Sequence, residues 1–276
     1  MIDITVLIEN TTVSKELTPQ HGLSLLIKSR ESVILLDTGS DKSFILNAEK
    51  LQIDISSVSH LVLSHAHVDH TGGIKAFAEI NKTAKIYLAG NPRDKFYFRI
   101  KKFIYIPIGI SAPRIVFDRI TSINTDTRIT DDAWMIINTT HTGFRPSLNK
   151  YLYMKKDGKK LNDNFSHEST LVIKEGNELV LINSCSHTGV TNIIDSAVKA
   201  FPGHRIRSFV GGMHLCNPGG NVYEDVSIIE KFAEKLSGYN ITYYTGHCTG
   251  EIPFEILQRI LGKRLQRIST GMKLMV

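Results

Sequence analysis

The segment SHAHVDHTGG, residues 64–73, constrains this chain more than any other part of its sequence. It follows HLVLS (60–64), a short apolar run that reads as a buried strand. Side chains two apart on an extended segment point the same way, so His65 and His67 project together from the strand end. Asp69 and His70 fall in the turn that opens a helix expected from about Gly72 to Ile80. Four donors between residues 65 and 70 therefore converge on one point. Imidazole nitrogen and carboxylate oxygen suit zinc and the harder transition metals, and Gly72 and Gly73 let the backbone turn tightly beneath them.

One loop cannot complete a metal's coordination, so further ligands are expected at other strand ends. INSCSHTG (182–189) places Cys185 and His187 after an apolar run, FVGGMHL (209–215) places His214, and YTGHCTG (244–250) places His247. Each lies between a β-run and a helix, where open sheets collect ligands. Six of the eleven histidines share this placement. His21, His60, His141, His167 and His204 do not share it clearly and read as ordinary.

The remaining pattern sets the architecture. Ile2 to Ile8, Leu23 to Ile27 and Val33 to Leu36 read as strands, and Phe44, Ile45, Ala48 and Leu51 mark a helix with Ser40 or Asp41 as N-cap. After residue 170, TLVIK and ELVLINS lead into a helix whose apolar face carries Val190, Ile193, Ile194, Ala197, Val198 and Phe201. Strand 206–210, helix 223–236, strand 241–244 and helix 252–261 follow. Strands in blocks followed by alternation favour two packed sheets with helices outside, in one domain spanning residues 1–276. Residues 91–165 are expected to form an insertion or lid. No internal sequence repeat is found.

Composition bounds the function. The 276 residues are 42% hydrophobic and 22% charged, the balance of a packed protein. Three cysteines are too few and too odd in number for a disulfide framework and read as reduced thiols. No apolar run approaches a membrane span, and MIDITVLIENTT lacks the basic start of a secretory leader. A cytoplasmic chain is expected. The net charge of +6 suits a small anionic substrate, such as a phosphorylated one, but no concentrated basic stripe calls for nucleic acid. The run Arg93 to Tyr105 holds five basic and five aromatic residues. It reads either as a seat for a phosphorylated, ring-bearing ligand or as an element with apolar atoms inside and amines in water. Arg145 is a further phosphate candidate.

HxHxDH, with Asp37 at an earlier strand end and histidines at later ones, resembles the metallo-β-lactamase fold superfamily. HGLSLLI (21–27), DTG, LSHAHVDHTGG, SCSHTG, GGMHL and GHCTG together resemble the branch of 7,8-dihydropterin-6-methyl-4-(β-D-ribofuranosyl)aminobenzene-5′-phosphate synthase-like metallohydrolases. The resemblance implies an α/β fold, a four-layer αββα sandwich, with two divalent metal ions at one edge of the sheets: zinc by preference, or manganese or iron. It implies that His65, His67 and His187 hold the first metal, that Asp69, His70 and His247 hold the second, and that Asp37 orients a ligand by hydrogen bonding. Much of the superfamily has a bridging aspartate after the strand that here reads ELVLINS, and this chain has none. Cys185 stands near that position, either as a bridging thiolate or as a buried unreactive thiol. His214 is open between substrate contact or proton donor, metal ligand and structural hydrogen bond.

Two metals about 3.5–4 Å apart would share a water, lower its pKa toward about 7 and polarise the oxygen under attack. The expected enzyme is a metallohydrolase using metal-bound hydroxide on a phosphoester or carboxylic ester, with Asp69, Asp37 and His214 in the catalytic machinery. The alternatives are a synthase-type transferase and an iron-dependent redox enzyme on the same ligands. A nuclease and a binding protein that merely kept the fold are weaker rivals.

Overall fold

Both faces of most strands are apolar because both main sheets are covered on two sides. The computed structural model describes residues 1–138 and 140–276. The first half supplies β1 (Asp3–Ile8), β2 (Ser24–Lys28), β3 (Val33–Leu36), β4 (His60–Leu63) and β5 (Lys85–Ala89), with helices α1 (Ser43–Lys50), α2 (Val68–Thr71) and α3 (Ile74–Ile80) between them. Next come β6 (Lys95–Lys101), β7 (Ile104–Pro107), α4 (Arg114–Phe117), β8 (Ile120–Ile123), β9 (Thr127–Arg128), β10 (Ala133–Ile137), β11 (Leu152–Lys156) and β12 (Lys159–Asn162). The second half holds β13 (Ser169–Glu175), β14 (Glu178–Ile182), α5 (Val190–Ala200), β15 (Arg205–Val210), α6 (Val226–Ser237), β16 (Thr242–Thr245), α7 (Glu251–Leu261), β17 (Leu265–Arg267) and β18 (Lys273–Met275).

Two seven-stranded sheets result, ordered β18-β1-β2-β3-β4-β5-β8 and β17-β16-β15-β14-β13-β10-β9. Each is antiparallel on one side and parallel on the other, the change falling at β3 in the first sheet and β14 in the second. Alternation along single strands fixes the layers. Leu25 and Ile27 of β2 face Val180 and Ile182 of β14 in the central core, whereas Leu26 packs outward with Phe44 of α1 and Phe77 of α3. Leu179 and Leu181 of β14 pack outward against Ile193, Phe232 and Leu257 of α5, α6 and α7. This is an αββα sandwich, the metallo-β-lactamase fold. Among the described residues no helix is long and apolar enough to cross a membrane.

Residues 91–165 divide three ways. β8 extends the first sheet, β9 and β10 extend the second, and β6, β7, β11 and β12 form a separate four-stranded sheet in the order β12-β11-β6-β7. The helix expected from about Gly72 to Ile80 is α3, and the short helix α2 precedes it, the two separated by Gly72 and Gly73. Their role is close approach: a Cβ on Gly72 would sit 2.0 Å from the Ser40 carbonyl oxygen, and one on Gly73 would sit 2.5 Å from that of Thr38. The loop after β3 therefore lies directly on α2, and Thr38 donates from its backbone nitrogen to the His70 carbonyl at 2.7 Å. Gly72→Ala is expected to wedge the two apart and lower stability by about 1–3 kcal/mol, the usual range for overpacking. Urea unfolding measures it, and a wild-type midpoint would show that the loop yields freely.

Candidate metal centre

The parallel halves of both sheets end at the same edge of the sandwich, and the candidate ligands leave those ends. Asp37 follows β3, His65 and His67 follow β4, Cys185 and His187 follow β14, His214 follows β15 and His247 follows β16. Asp37, Ser186, His214 and His247 all hold positive φ, between 49° and 58°. Non-glycine residues in that region are costly and gather where surrounding structure enforces a function.

Two clusters form. His65, His67 and His187 are buried, with ring centroids 4.6 to 5.0 Å apart. The Nε2 atom of each has no hydrogen-bond partner. In the second cluster His70 Nε2 lies 3.2 Å from His247 Nε2 and 3.4 Å from Asp69 Oδ2, and His247 Nε2 is 3.5 Å from the same oxygen. Cys185 Sγ is 3.1 Å from His70 Nε2. It also lies within 4.8 Å of the ligand atoms of His65 and His187, and so belongs to both clusters.

Hydrogen bonds behind the rings fix which nitrogen faces inward. Asn149 donates its amide to the His187 carbonyl at 2.8 Å, so its Oδ1 accepts from His187 Nδ1 at 3.0 Å. Gly22 donates its backbone N–H to Asn10 Oδ1, which in turn accepts from His247 Nδ1 at 3.0 Å. Ser64 gives its hydroxyl proton to Asp37, so its oxygen is left to accept from His65 Nδ1 at 2.9 Å. Asp37 accepts from His70 Nδ1 at 2.9 Å, and also from the Ser64 backbone, the Ser64 hydroxyl and the Ser184 hydroxyl. With Nδ1 protonated behind the His65, His187 and His247 rings, the Nε2 of each presents a lone pair to the centre, whereas His70 carries its Nδ1 proton to Asp37.

Such lone pairs repel unless a positive charge lies among them. Burial, then neighbouring imidazoles, pushes the pKa of His65 and of His187 well below the usual histidine value, so neither ring supplies that charge. Burial works the same way on His70, but the Asp69 and Asp37 carboxylates outweigh it and raise its pKa to about 10. Burial would raise the Asp69 carboxyl, yet His70 and the hydrogen bonds from His21, His247 and His70 hold it well below the carboxylate range. The unpartnered Nε2 atoms of His65, His67 and His187 and the groups around Cys185 could hold a metal ion, and an N/O/S donor set of this kind fits zinc and its neighbours.

Two histidines read from the sequence as ordinary are at the centre. His21 Nε2 lies 3.4 Å from Asp69 Oδ2, and its ring is 4.8 Å from that of His247. His167 accepts from the Ala66 backbone at Nδ1 and donates from Nε2 to Asp163 at 3.0 Å, which braces the loop carrying His65 and His67. The order of the sequence hides them, because neither sits between a strand and a helix. Glu168 is likewise silent in the sequence. It accepts from the backbones of His187 and Thr188 and from the Thr188 hydroxyl. His214 lies beside His187, ring centroids 4.1 Å apart, and its ligand nitrogen is within 4.8 Å of Cys185 and Cys248.

A chamber of about 350 Å³ opens over the centre, within the range of small-molecule sites. His67, Asp69, Cys185, His187, His214 and His247 form its floor, and Phe98, Ile106, Leu148 and Leu152 are among its walls. No lysine or arginine lines it among the described residues. The basic run instead splits by strand alternation: Phe96 and Phe98 face inward, while Lys95 is exposed and Arg99 lies over the Tyr153 ring at 5.0 Å. Arg145 is exposed and outside the chamber wall.

Known proteins resemble this chain in sequence and fold. A family model described as the metallo-beta-lactamase superfamily matches residues 17–148. The chain is 29% identical over 251 residues to the 7,8-dihydropterin-6-methyl-4-(beta-D-ribofuranosyl)-aminobenzene-5′-phosphate synthase of Methanocaldococcus jannaschii, covering 84% of this chain and 81% of that protein. A crystal structure of a metal-dependent hydrolase of the beta-lactamase superfamily superposes with a TM-score of 0.84 at 27% identity, covering 100% of this chain and 99% of that one. Zinc-bound PqqB from Methylobacterium extorquens shares the fold at 10% identity, with a TM-score of 0.58 over 99% of this chain and 100% of its own.

Proposed function

We propose, from its likeness to the metallo-β-lactamase superfamily, that this chain is a metal-dependent hydrolase acting on a small ester, with two divalent cations, zinc by preference. His65, His67 and His187 hold the first, and Asp69, His70 and His247 hold the second. Cys185 reaches both, in the place where a carboxylate would otherwise bridge. The observation that carries this reading is the convergence of buried imidazole Nε2 atoms, with Nδ1 of His65, His70, His187 and His247 hydrogen-bonded behind the ring.

When bound, such a pair of cations supplies an activated water near neutral pH and polarises the oxygen under attack. The rest falls to the chain. Asp37 holds the His70 ring and the Ser64 loop in register. Asp69 brings a negative charge to the centre, which favours a cation among the imidazoles. Glu168 fixes the turn that presents Cys185 and His187. His214, on the chamber floor, is the group placed to protonate the leaving oxygen.

The name of the synthase relative includes a 5′-phosphate, and a seat for such a group calls for lysine or arginine. None lines this chamber among the described residues, so hydrolysis is the reading retained over transfer. Elemental analysis and ester hydrolysis test it together. About two equivalents of metal and chelator-sensitive turnover are expected for the parent protein. Cys185→Ser is expected to lose roughly ten- to a hundredfold in affinity for the second equivalent while keeping the first. Two equivalents bound as tightly as in the parent would remove the thiolate from the centre, and a protein that binds no metal would end the reading.

A further inference from the structure

Above the histidines the chamber is largely apolar, with Tyr151 and Asn217 among its lining as polar exceptions. Phe98, Ile100, Ile106, Ile108, Leu148 and Leu152 wall it, and the only carboxylate among its lining residues is Asp69, on the floor. The apolar surface does not stop at the mouth. Ile100 and Ile106 are 50% and 46% exposed, and beyond them the β6–β7 turn presents Ile104 and Phe103, the latter 81% exposed. Four large apolar side chains in contact with water at the rim of a cavity are a liability in a resting protein, and such patches mark binding surfaces. Of the cationic groups of this four-stranded sheet, Lys160 Nζ lies over the Tyr97 and Tyr105 rings at 4.8 and 4.3 Å and Arg99 is held by the Tyr153 hydroxyl, while Lys102 Nζ lies over the Phe103 ring at 5.4 Å, at the outer turn.

We infer that the site takes acyl compounds, carboxylic esters or lactones with an aliphatic chain of medium length, with the carbonyl at the histidine floor and the chain running along Phe98, Ile106 and Leu152 toward the β6–β7 turn. This rests on the hydrolase reading and narrows it to one substrate class. A phosphorylated or sugar-bearing substrate would bury most of its hydroxyl and phosphate groups against these apolar walls with few partners beyond Tyr151 and Asn217, which is unfavourable. An alkyl chain would instead leave water for apolar contact along its whole length. In the reaction, water adds across the acyl C–O bond. The acyl carbon keeps the water oxygen, the bond to the alkoxy oxygen breaks with its electron pair, and that oxygen takes one proton, giving a carboxylic acid that ionises and an alcohol.

Carboxylate products make the test independent of turnover. Calorimetric titration of the purified protein with its bound metal, using butanoate, hexanoate and octanoate, is expected to show affinity rising about two- to fourfold per methylene. Octanoate should then exceed butanoate by at least about tenfold and should also exceed ribose 5-phosphate. Ile106→Glu, at a half-exposed position on a strand at the edge of its sheet, is expected to flatten the series while metal content and the unfolding midpoint stay as in the parent. Equal affinity along the series, or ribose 5-phosphate binding more tightly than octanoate, overturns the inference. Metal binding and ester hydrolysis with a flat series would sink the substrate class and leave the hydrolase. A rising series on a protein that binds no metal would sink the hydrolase and leave the chamber's preference.

Discussion

His67→Ala is expected to remove most of the bound metal and lower ester turnover by at least about a thousandfold, equivalent to ~4 kcal/mol of transition-state stabilisation. His67 is buried, and its Nε2 has no hydrogen-bond partner, so its truncation takes a donor from the first cluster at the cost of one longer contact, with Asp163 Oδ2 at 3.6 Å. The neighbouring His65 and His187 cannot restore a three-nitrogen site by themselves. Circular dichroism and the unfolding midpoint separate this loss from misfolding. His60→Ala supplies the control, because His60 hydrogen-bonds Ser59 and stands at the far end of β4 from the cluster. Full metal content and full turnover in His67→Ala would refute the assignment of this edge as the active centre.

The second large effect is expected from a residue that touches no cation. Asp37→Asn keeps the size of the side chain but puts an amino group where one of the carboxylate oxygens accepts. Those oxygens take hydrogen bonds from the Ser64 backbone, the Ser64 hydroxyl, the Ser184 hydroxyl and His70 Nδ1. Either orientation of the amide sets donor against donor in a fully buried place. Hydrogen bonds to charged groups contribute about 1.5–3 kcal/mol each, so a stability loss of about 3 kcal/mol is expected in urea unfolding. Freed of Asp37, His70 can turn or exchange tautomers, and affinity for the second cation should fall about ten- to a hundredfold. Competition against a chromophoric chelator reads that affinity. An Asn variant that retains it would show that the His70 ring is held by packing alone.

Much of the scaffold was readable because its causes are local. β2 and β14 are apolar on consecutive positions, as strands buried on both faces must be, and the amphipathic run from Val190 marks α5 directly. The stretch 91–165 was not readable, since its strands serve three sheets and no local pattern says which partner each will find. β6 illustrates the point. Its mixture of lysine, arginine and aromatic residues admitted a phosphate seat or a half-solvated strand, and only its pairing with β7 and β11 shows which face meets the chamber. The similar halves of the two main sheets also left no trace as a sequence repeat, because backbone pairing can repeat where side chains do not.

By itself the sequence determined which donor types stand at the ends of the strands, since a period of two and a strand-to-helix turn place His65, His67, Asp69 and His70 together within a few residues. Tertiary structure decided how those donors are aimed and what they face. Asp37 meets Ser184 across 147 positions, and Asn10 meets His247 across 237. Hydrogen bonds between such distant groups have no periodicity to betray them. The same holds for Cys185 between the two clusters, for His21 and His167 beside them, and for the apolar walls above. Each depends on two sheets being packed face to face, which brings separate strand ends to one edge.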